Sequence, residues 1–218
     1  MRYRKKIGAK EKLTTYNDIF IQKYKNYKGK WKNLFQNSNH IHLEIGCGRG
    51  KFITTLAQNN PHINYIAIEK LDGILLDCAK KIEEKDIKNI KIICADASEL
   101  EEIFDHKELQ RIYINFCDPW PKKRHSKRRL TYKGFLEIYT NLMSEDGEIH
   151  FKTDNKDLFE FSINECCDFG LRLKNIYLDL HKNEEISRNV VTTEYEEKFK
   201  GMGMNIYKLE AYSWNNNI

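Results

Sequence analysis

Four acidic side chains stand where this chain could hold a small ligand, because Glu44, Glu69, Asp96 and Asp118 each fall at or near the end of a short β-branched or apolar run. Glu44 opens the stretch Glu44-Ile45-Gly46-Cys47-Gly48-Arg49-Gly50-Lys51. Glycines after a parallel strand let the backbone turn tightly into the next helix and let a ligand approach closely. The spacing is G-x-G-x-G, with Lys51 where a dinucleotide motif needs its last glycine, which argues against a pyrophosphate clamp. Glu69 follows about 20 residues after Gly50, where a carboxylate accepts from both hydroxyls of a ribose. Asp96 can accept from an adenine amino group, and Glu44 can hold an ammonium directly or through water. Taken singly, the glycines can be a structural turn and Asp96, with Ser98, a helix cap. Three acids at consecutive strand ends favour an adenosine ligand with a cationic tail.

The fourth acid opens Asp118-Pro119-Trp120-Pro121-Lys122-Lys123-Arg124-His125-Ser126-Lys127-Arg128-Arg129. Two prolines around a tryptophan stiffen the backbone and remove donors, so Asp118 and the carbonyls beside it are held as acceptors. Such a rigid acceptor site suits a base bearing N–H groups. Residues 122–129 carry six basic residues and no acid, and residues 1–12 carry six (Arg2, Arg4, Lys5, Lys6, Lys10, Lys12) against Glu11. The net charge of +5 over 218 residues therefore hides two cationic segments on a body of charge −6. Clustered Lys and Arg of this kind are the footprint of a protein that binds a polyanion; two solvated charge runs are the plainer alternative.

The elements that must position these groups follow from periodicity. Strands are expected near Ile41 to Ile45, Tyr65 to Glu69, Ile90 to Ala95, Ile112 to Phe116 and Glu148 to Thr153. Helices are expected near Lys51 to Asn59, Gly73 to Lys85, Ser98 to Phe104, Lys133 to Met143 and Lys156 to Phe169. Repeated strand–helix–strand order means right-handed crossovers, a parallel sheet and helices on both faces, the doubly wound, Rossmann-like α/β class. After Gly170 two long strand candidates, Leu171 to Leu180 and Asn205 to Trp214, flank a polar, partly helical segment and are expected to close one sheet edge as an antiparallel pair.

Hydrophobic residues make up 40% of the chain, enough for a packed interior. Residues 1–15 are expected to be a mobile basic arm, and residues 16–218 a single domain, since only three prolines and no Ser- or Pro-rich linker interrupt them. No run approaches the ~20 apolar residues of a membrane helix, and no apolar segment follows the basic N-terminus, so a cytoplasmic protein without membrane contact is expected. Six cysteines contain no C-x-x-C pair, and the adjacent Cys166 and Cys167 are poor mutual partners; neither zinc, another metal nor a disulfide framework is signalled.

Glu44-x-Gly-x-Gly-x-Gly50, with Glu69 and Asp96, resembles the first motifs of the class I methyltransferases, which implies S-adenosylmethionine as cofactor and a seven-stranded, mostly parallel sheet with an antiparallel last strand. The run from Asp118 to Arg129 resembles the signature of the bacterial tRNA (guanine-N7)-methyltransferases. The resemblance extends from Lys28-Gly-Lys-Trp31 through His150-Phe-Lys-Thr-Asp154 to Thr193-Glu-Tyr-Glu196. It implies a catalytic and cofactor-contacting Asp118 and substrate contacts at Lys122, Asp154, Thr193, Glu194, Tyr195 and Glu196. It also implies an RNA-contacting run of Arg124, His125, Ser126, Lys127, Arg128 and Arg129 and a guanine in the tRNA variable loop as target; no obligate protein partner is indicated.

Several of these residues have structural alternatives. Thr193-x-x-Glu196 fits a capping box, Asp154 a helix N-cap, and Trp120 a packing anchor as well as a stacking platform; His125 reads as a phosphate neighbour rather than a proton shuttle. Competing functions are methylation of an exocyclic amine, since Asp118-Pro119-Trp120 also resembles the acid–proline–aromatic loop of amino methylases, a nicotinamide dehydrogenase on the same fold, and a noncatalytic RNA-binding module. The two cationic segments predict tRNA affinity that falls steeply with salt; filter binding at low and high ionic strength checks this, and an affinity indifferent to salt overturns it.

Overall fold

Strands buried on both faces read as near-continuous apolar runs, and Tyr65 to Ile68 has that pattern, whereas Ile41 to Ile45 sets His42 and Glu44 between its apolar residues. The computed structural model of the chain describes residues 6–213, in two compact units that divide between Phe104 and Asp105. No composition break marks this division. The first unit contains α1 (Ala9–Leu13), α2 (Trp31–Phe35), β1 (Ile41–Ile45), α3 (Lys51–Asn59), β2 (Asn64–Ile68), α4 (Asp72–Glu84), β3 (Ile90–Ile93) and α5 (Leu100–Ile103). β1, β2 and β3 are parallel, with Ile41 opposite Asn64 and Tyr65 opposite Ile90. Every residue of β1 and β2 is buried, including His42, Glu44 and Asn64. α3 turns Phe52, Ile53 and Ala57 inward.

The outer edge of β3 is covered by the N-terminal segment. Ile21 N–H donates to the Ile92 carbonyl at 3.0 Å and Ile92 N–H to the Ile19 carbonyl at 2.9 Å, which blunts an edge that would otherwise invite pairing. Trp31 is fully buried between Tyr27 and Phe104, its indole N–H donating to the Ile103 carbonyl at 2.9 Å. Part of the segment expected to be a mobile arm is folded. Ala9 and Leu13 on α1 are buried, and Lys6 pairs with Asp77 of α4. Two apolar side chains four residues apart make one turn of helix worth docking, a signal the dominant charge obscured. Arg2, Arg4 and Lys5 lie outside the described residues.

The second unit contains β4 (Leu109–Asn115), α6 (Lys133–Leu142), β5 (Met143–Thr153), α7 (Lys156–Asp168), β6 (Arg172–Tyr177), α8 (Glu184–Asn189), α9 (Glu194–Gly201) and β7 (Tyr207–Tyr212). β4 and β5 are parallel, β7 is antiparallel to β5, and β6 is antiparallel to β7. The seven strands run in the order β3-β2-β1-β4-β5-β7-β6. The last strand therefore lies between β5 and the edge strand β6, as the mostly parallel sheet with an antiparallel last strand requires. β5 begins five residues before the expected Glu148, because Met143 pairs with Leu109 ahead of a register shift. The polar stretch between β6 and β7 holds two helices, α8 and α9. Trp214 lies outside the described residues.

Gly50 is the tightest joint of the first unit. It caps α3 with φ +80°, and a Cβ built there would lie 2.3 Å from Cys78 Sγ on α4. Gly50→Ala combines a left-handed backbone with an overpacked contact and is expected to lower stability by about 2–4 kcal/mol, measured by urea denaturation; a loss below ~1 kcal/mol contradicts this packing role.

Candidate active site

In the first unit, the glycine turn grows directly out of β1. Gly46 and Cys47 N–H both donate to the Ile68 carbonyl, at 2.8 and 3.0 Å, so the turn is bonded to the end of β2. Gly46 and Gly48 both have positive φ, and nothing lies within 4 Å of a Cβ built on either. The loop thus offers bare backbone with open space beside it, whereas Gly50 serves helix packing. Glu69 is buried and clasps this loop: Oε2 accepts from Gly48 N–H at 3.2 Å and Oε1 from Leu71 N–H at 3.0 Å. Each carboxylate oxygen has a second lone pair, so a loop-fixing role and hydroxyl recognition are compatible.

Asp96 takes the cap role that its spacing to Ser98 allowed. Its Oδ1 accepts from Ser98 N–H at 3.0 Å and Ser98 Oγ at 2.9 Å, and Glu99 completes the capping box. Glu44 lies inside β1 rather than at its tip, and is buried. A cleft of about 780 Å³ opens beyond Glu69, lined by Lys70, Leu71, Asp72 and Cys94 together with Lys10 and Tyr24 of the N-terminal segment. Sequence reasoning missed this cleft, since its two walls lie more than 40 residues apart in the chain. The hydrogen bond of Cys47 with Cys78 and its burial push the thiol well up from its ordinary value.

In the second unit, β4 stops at Asn115 and the chain breaks sharply. Phe116 and Trp120 sit at φ +52° and +43°, left-handed conformations that cost a non-glycine residue free energy and that bracket Asp118. Phe116 N–H is held by the Lys152 carbonyl at 2.9 Å. Asp118 itself is exposed. The Cys117 thiol beside it is pushed up to about 12, mainly by burial and further by the Asp118 charge, so it stays protonated.

The basic run does more than face solvent. Arg129 Nε donates to the carbonyls of Pro119 at 3.2 Å and Trp120 at 3.3 Å, and Nη2 to Trp120 at 3.1 Å, while the guanidinium lies 4.2 Å from the Phe161 ring centre. Arg128 sits 4.9 Å over the Trp120 ring and His125 meets that ring edge-on at 5.8 Å. Trp120 is thus packed against Arg128 and His125 of its own chain. Arg129 is a clamp on the loop rather than one more outward charge, because its planar fork matches two adjacent carbonyls. Lys122, Arg124 and Lys127 are exposed, Ser126 half-buried, on or beside the short 3₁₀ helix Lys123–Arg128.

Asp154 is not the cap of α7. Asn155 is, its side chain accepting from Leu158 N–H at 2.8 Å, which leaves the half-buried Asp154 just ahead of the helix. Thr193 and Glu196 form the capping box of α9: Thr193 Oγ1 accepts from Glu196 N–H at 2.9 Å, and Glu196 Oε2 accepts from Thr193 N–H at 3.3 Å. Both side chains are buried, whereas Glu194 is exposed and Tyr195 is 58% exposed. The motif implied to contact substrate therefore splits into two inward and two outward residues. Glu148, His150 and Glu210 form the one cluster of potential metal ligands among the described residues. These groups pair with Arg111, Lys174 and Lys208. The bond from His150, with Lys174 and Arg111 beside it, holds the Glu148 carboxyl well below the usual range, while burial depresses His150.

Residues 38–209 match a family described as putative methyltransferase. The chain is 53% identical to a tRNA (guanine-N(7)-)-methyltransferase of Clostridioides difficile (strain 630), over 97% of this chain and 98% of the relative. It is 48% identical to the enzyme of the same name from Geobacillus sp. (strain WCH70), over 97% and 95%. The chain belongs to the tRNA (guanine-N7)-methyltransferase family. The fold extends further: the 16S rRNA methyltransferase KamB superposes with a TM-score of 0.65 at 13% identity, over 85% of this chain and 94% of that one. Within this methyltransferase family, the clamp at Arg129 gives a test. Arg129→Lys keeps the charge but loses the fork, and is expected to lower kcat about tenfold with the salt dependence of tRNA binding unchanged; Lys127→Ala is expected to reduce that salt slope by about one with kcat intact. Stopped-time methylation assays and filter binding read both, and an unaltered kcat in Arg129→Lys removes the clamp.

Proposed function

We infer that this chain transfers a methyl group from S-adenosylmethionine to N7 of a guanine in tRNA, giving 7-methylguanosine, with the variable-loop guanine as the target that the resemblance implies. The observation that carries the reading is the near-full-length identity to enzymes of that name. The residues fit the cofactor. Bare backbone at Gly46 and Gly48 with open space beside it, a buried Glu44 and a fixed Glu69 form an anionic cradle for a nucleoside with a cationic amino-acid tail. Glu44 would hold the ammonium, Glu69 the ribose hydroxyls, and Asp96 the adenine amino group through carboxylate capacity beyond its cap bonds. When bound, S-adenosylmethionine supplies an electrophilic methyl on a sulfonium.

Guanine N7 already carries an unprotonated lone pair, so no general base is needed and catalysis is chiefly positioning in line with the methyl. Asp118, exposed and bracketed by two strained residues, is suited to accept from guanine N1–H and N2–H₂. A carboxylate fixed there also stabilises the positive charge that develops on the purine. Lys122 and Asp154 stand as further substrate contacts, with Glu194 and Tyr195 the outward part of the Thr193–Glu196 segment. The exposed Arg124 and Lys127 would grip flanking phosphates and set register. An N7 in a duplex lies in a deep, narrow groove, so the target must come from a loop or be unstacked. No helix among the described residues is long and apolar enough to cross a membrane, which accords with tRNA chemistry in the cytoplasm.

Methyl transfer to unmodified tRNA followed by nucleoside mass analysis tests the assignment; an exocyclic methylamine in place of 7-methylguanosine overturns it. Asp118→Ala is expected to lower kcat by at least about 100-fold while S-adenosylmethionine affinity stays within roughly tenfold. Calorimetry and single-turnover kinetics measure the two, and an active Asp118→Ala enzyme defeats the role assigned to this carboxylate.

A further inference from the structure

The inner side of α9 carries an ion pair that the chemistry above does not use. Glu196 Oε2 accepts from Lys152 Nζ at 2.9 Å, and its Oε1 lies 2.9 Å from His181 Nε2, whose Nδ1 is 2.9 Å from Ser187 Oγ. Lys152 Nζ also donates to the Val191 carbonyl at 2.8 Å. The three side chains of Lys152, Glu196 and His181 are 6%, 0% and 7% exposed. Removing an ammonium and a carboxylate from water is costly, and an apolar pair of similar volume would stabilise the fold at least as well. Neither group is open to solvent.

The backbone of the same lysine faces the other segment of interest. Lys152 lies opposite Asn115 in the β4–β5 register, and its carbonyl holds Phe116 N–H at 2.9 Å, two residues before Asp118. The Phe116 ring lies 6.2 Å from that of Phe199 on α9, which in turn lies 6.2 Å from Tyr195. A backbone bond, an ion pair and a ring contact therefore join the strained turn before Asp118 to the first turns of α9.

We propose that Lys152 is a positioning residue for the guanine: its carbonyl fixes the start of the Asp118 loop and its ammonium fixes Glu196, so that the Asp118 carboxylate and the outward Glu194 and Tyr195 keep one register. The proposal rests on the assignment of Asp118 and the Thr193–Glu196 segment to the guanine site. It gives Glu196 and Thr193 a different task from direct contact, that of anchoring the helix whose next residues point outward. Lys152 touches no substrate and acts through the segments it joins.

Lys152→Met alone leaves a buried carboxylate without its cation and can fail to fold, so the informative variant is Lys152→Met/Glu196→Gln. Glutamine preserves the capping box and a bond to His181 while the tie to β5 is cut. The double variant is expected to melt within about 5 °C of the parent, to bind S-adenosylmethionine within about threefold, and to lose about 30-fold in kcat. Its KM for tRNA should move less than about threefold, because Lys122, Arg124 and Lys127 are untouched. A folded double variant with the parent kcat overturns the proposal, as does a fall in kcat matched by an equal loss of cofactor affinity. If the double variant does not fold, Lys152→Arg decides: its longer planar fork keeps the charge but shifts Glu196, and kcat should fall about tenfold at near-parent melting temperature, an unchanged kcat being the contrary result. Asp118→Ala is assayed in parallel. An active Asp118→Ala enzyme defeats the site assignment itself, whereas an inactive one beside fully active Lys152 variants defeats only the positioning role.

Discussion

A strand covered by helices on both faces has almost no place for a polar side chain except its tip. That constraint organises this molecule. β1 and β2 are buried along their whole length, and the groups able to do chemistry collect where the strands end: the glycine turn and Glu69 in the first unit, Asp118 and Asp154 in the second. Burial stabilises each strand by the apolar area it removes from water, and the unpaired backbone groups at the tips are what the loops there must satisfy. Glu69 answers both demands, since its carboxylate closes the bonds of Gly48 and Leu71 and remains an acceptor for a ligand.

Double use of charged groups recurs throughout. Arg129 belongs to a run that would attract phosphate, yet its guanidinium is bonded to the carbonyls of Pro119 and Trp120. Two prolines cannot supply backbone donors to hold that loop, so a side chain must. Asp96, three residues past the end of β3, caps the short helix that follows. Glu196 closes a capping box and accepts from Lys152. In each case a residue whose sequence context allowed a structural or a functional reading has a structural task, and for Arg129 and Glu196 that task holds a neighbouring segment in place for chemistry.

The strained residues fit the same logic. Phe116 and Trp120 adopt left-handed backbone without being glycine, and both lie within two residues of Asp118. Such conformations persist where the surroundings over-determine them. Here the surroundings are the Lys152 carbonyl, the Phe199 ring, and the Arg128 and Arg129 guanidinium groups. The loop is braced from several sides.

Local spacing in the sequence determined the elements of the doubly wound fold, nearly residue by residue for Ile41–Ile45 and Lys51–Asn59, because periodic burial is written in consecutive residues. It also determined the glycine turn, the Thr193-x-x-Glu196 cap and the cationic run, all of which depend on residues within a few positions of one another. Only the tertiary structure decided that α1 docks by Ala9 and Leu13, that Asn155 rather than Asp154 caps α7, that Arg129 clamps the loop, and that Lys152 meets Glu196 and His181. A lysine between Phe151 and Thr153 in an apolar strand signals a buried, paired cation, but its partner lies 44 residues away. Which distant groups meet is set by strand register and helix packing, and a register is a property of the assembled sheet, since no short segment by itself encodes which residue will stand opposite it.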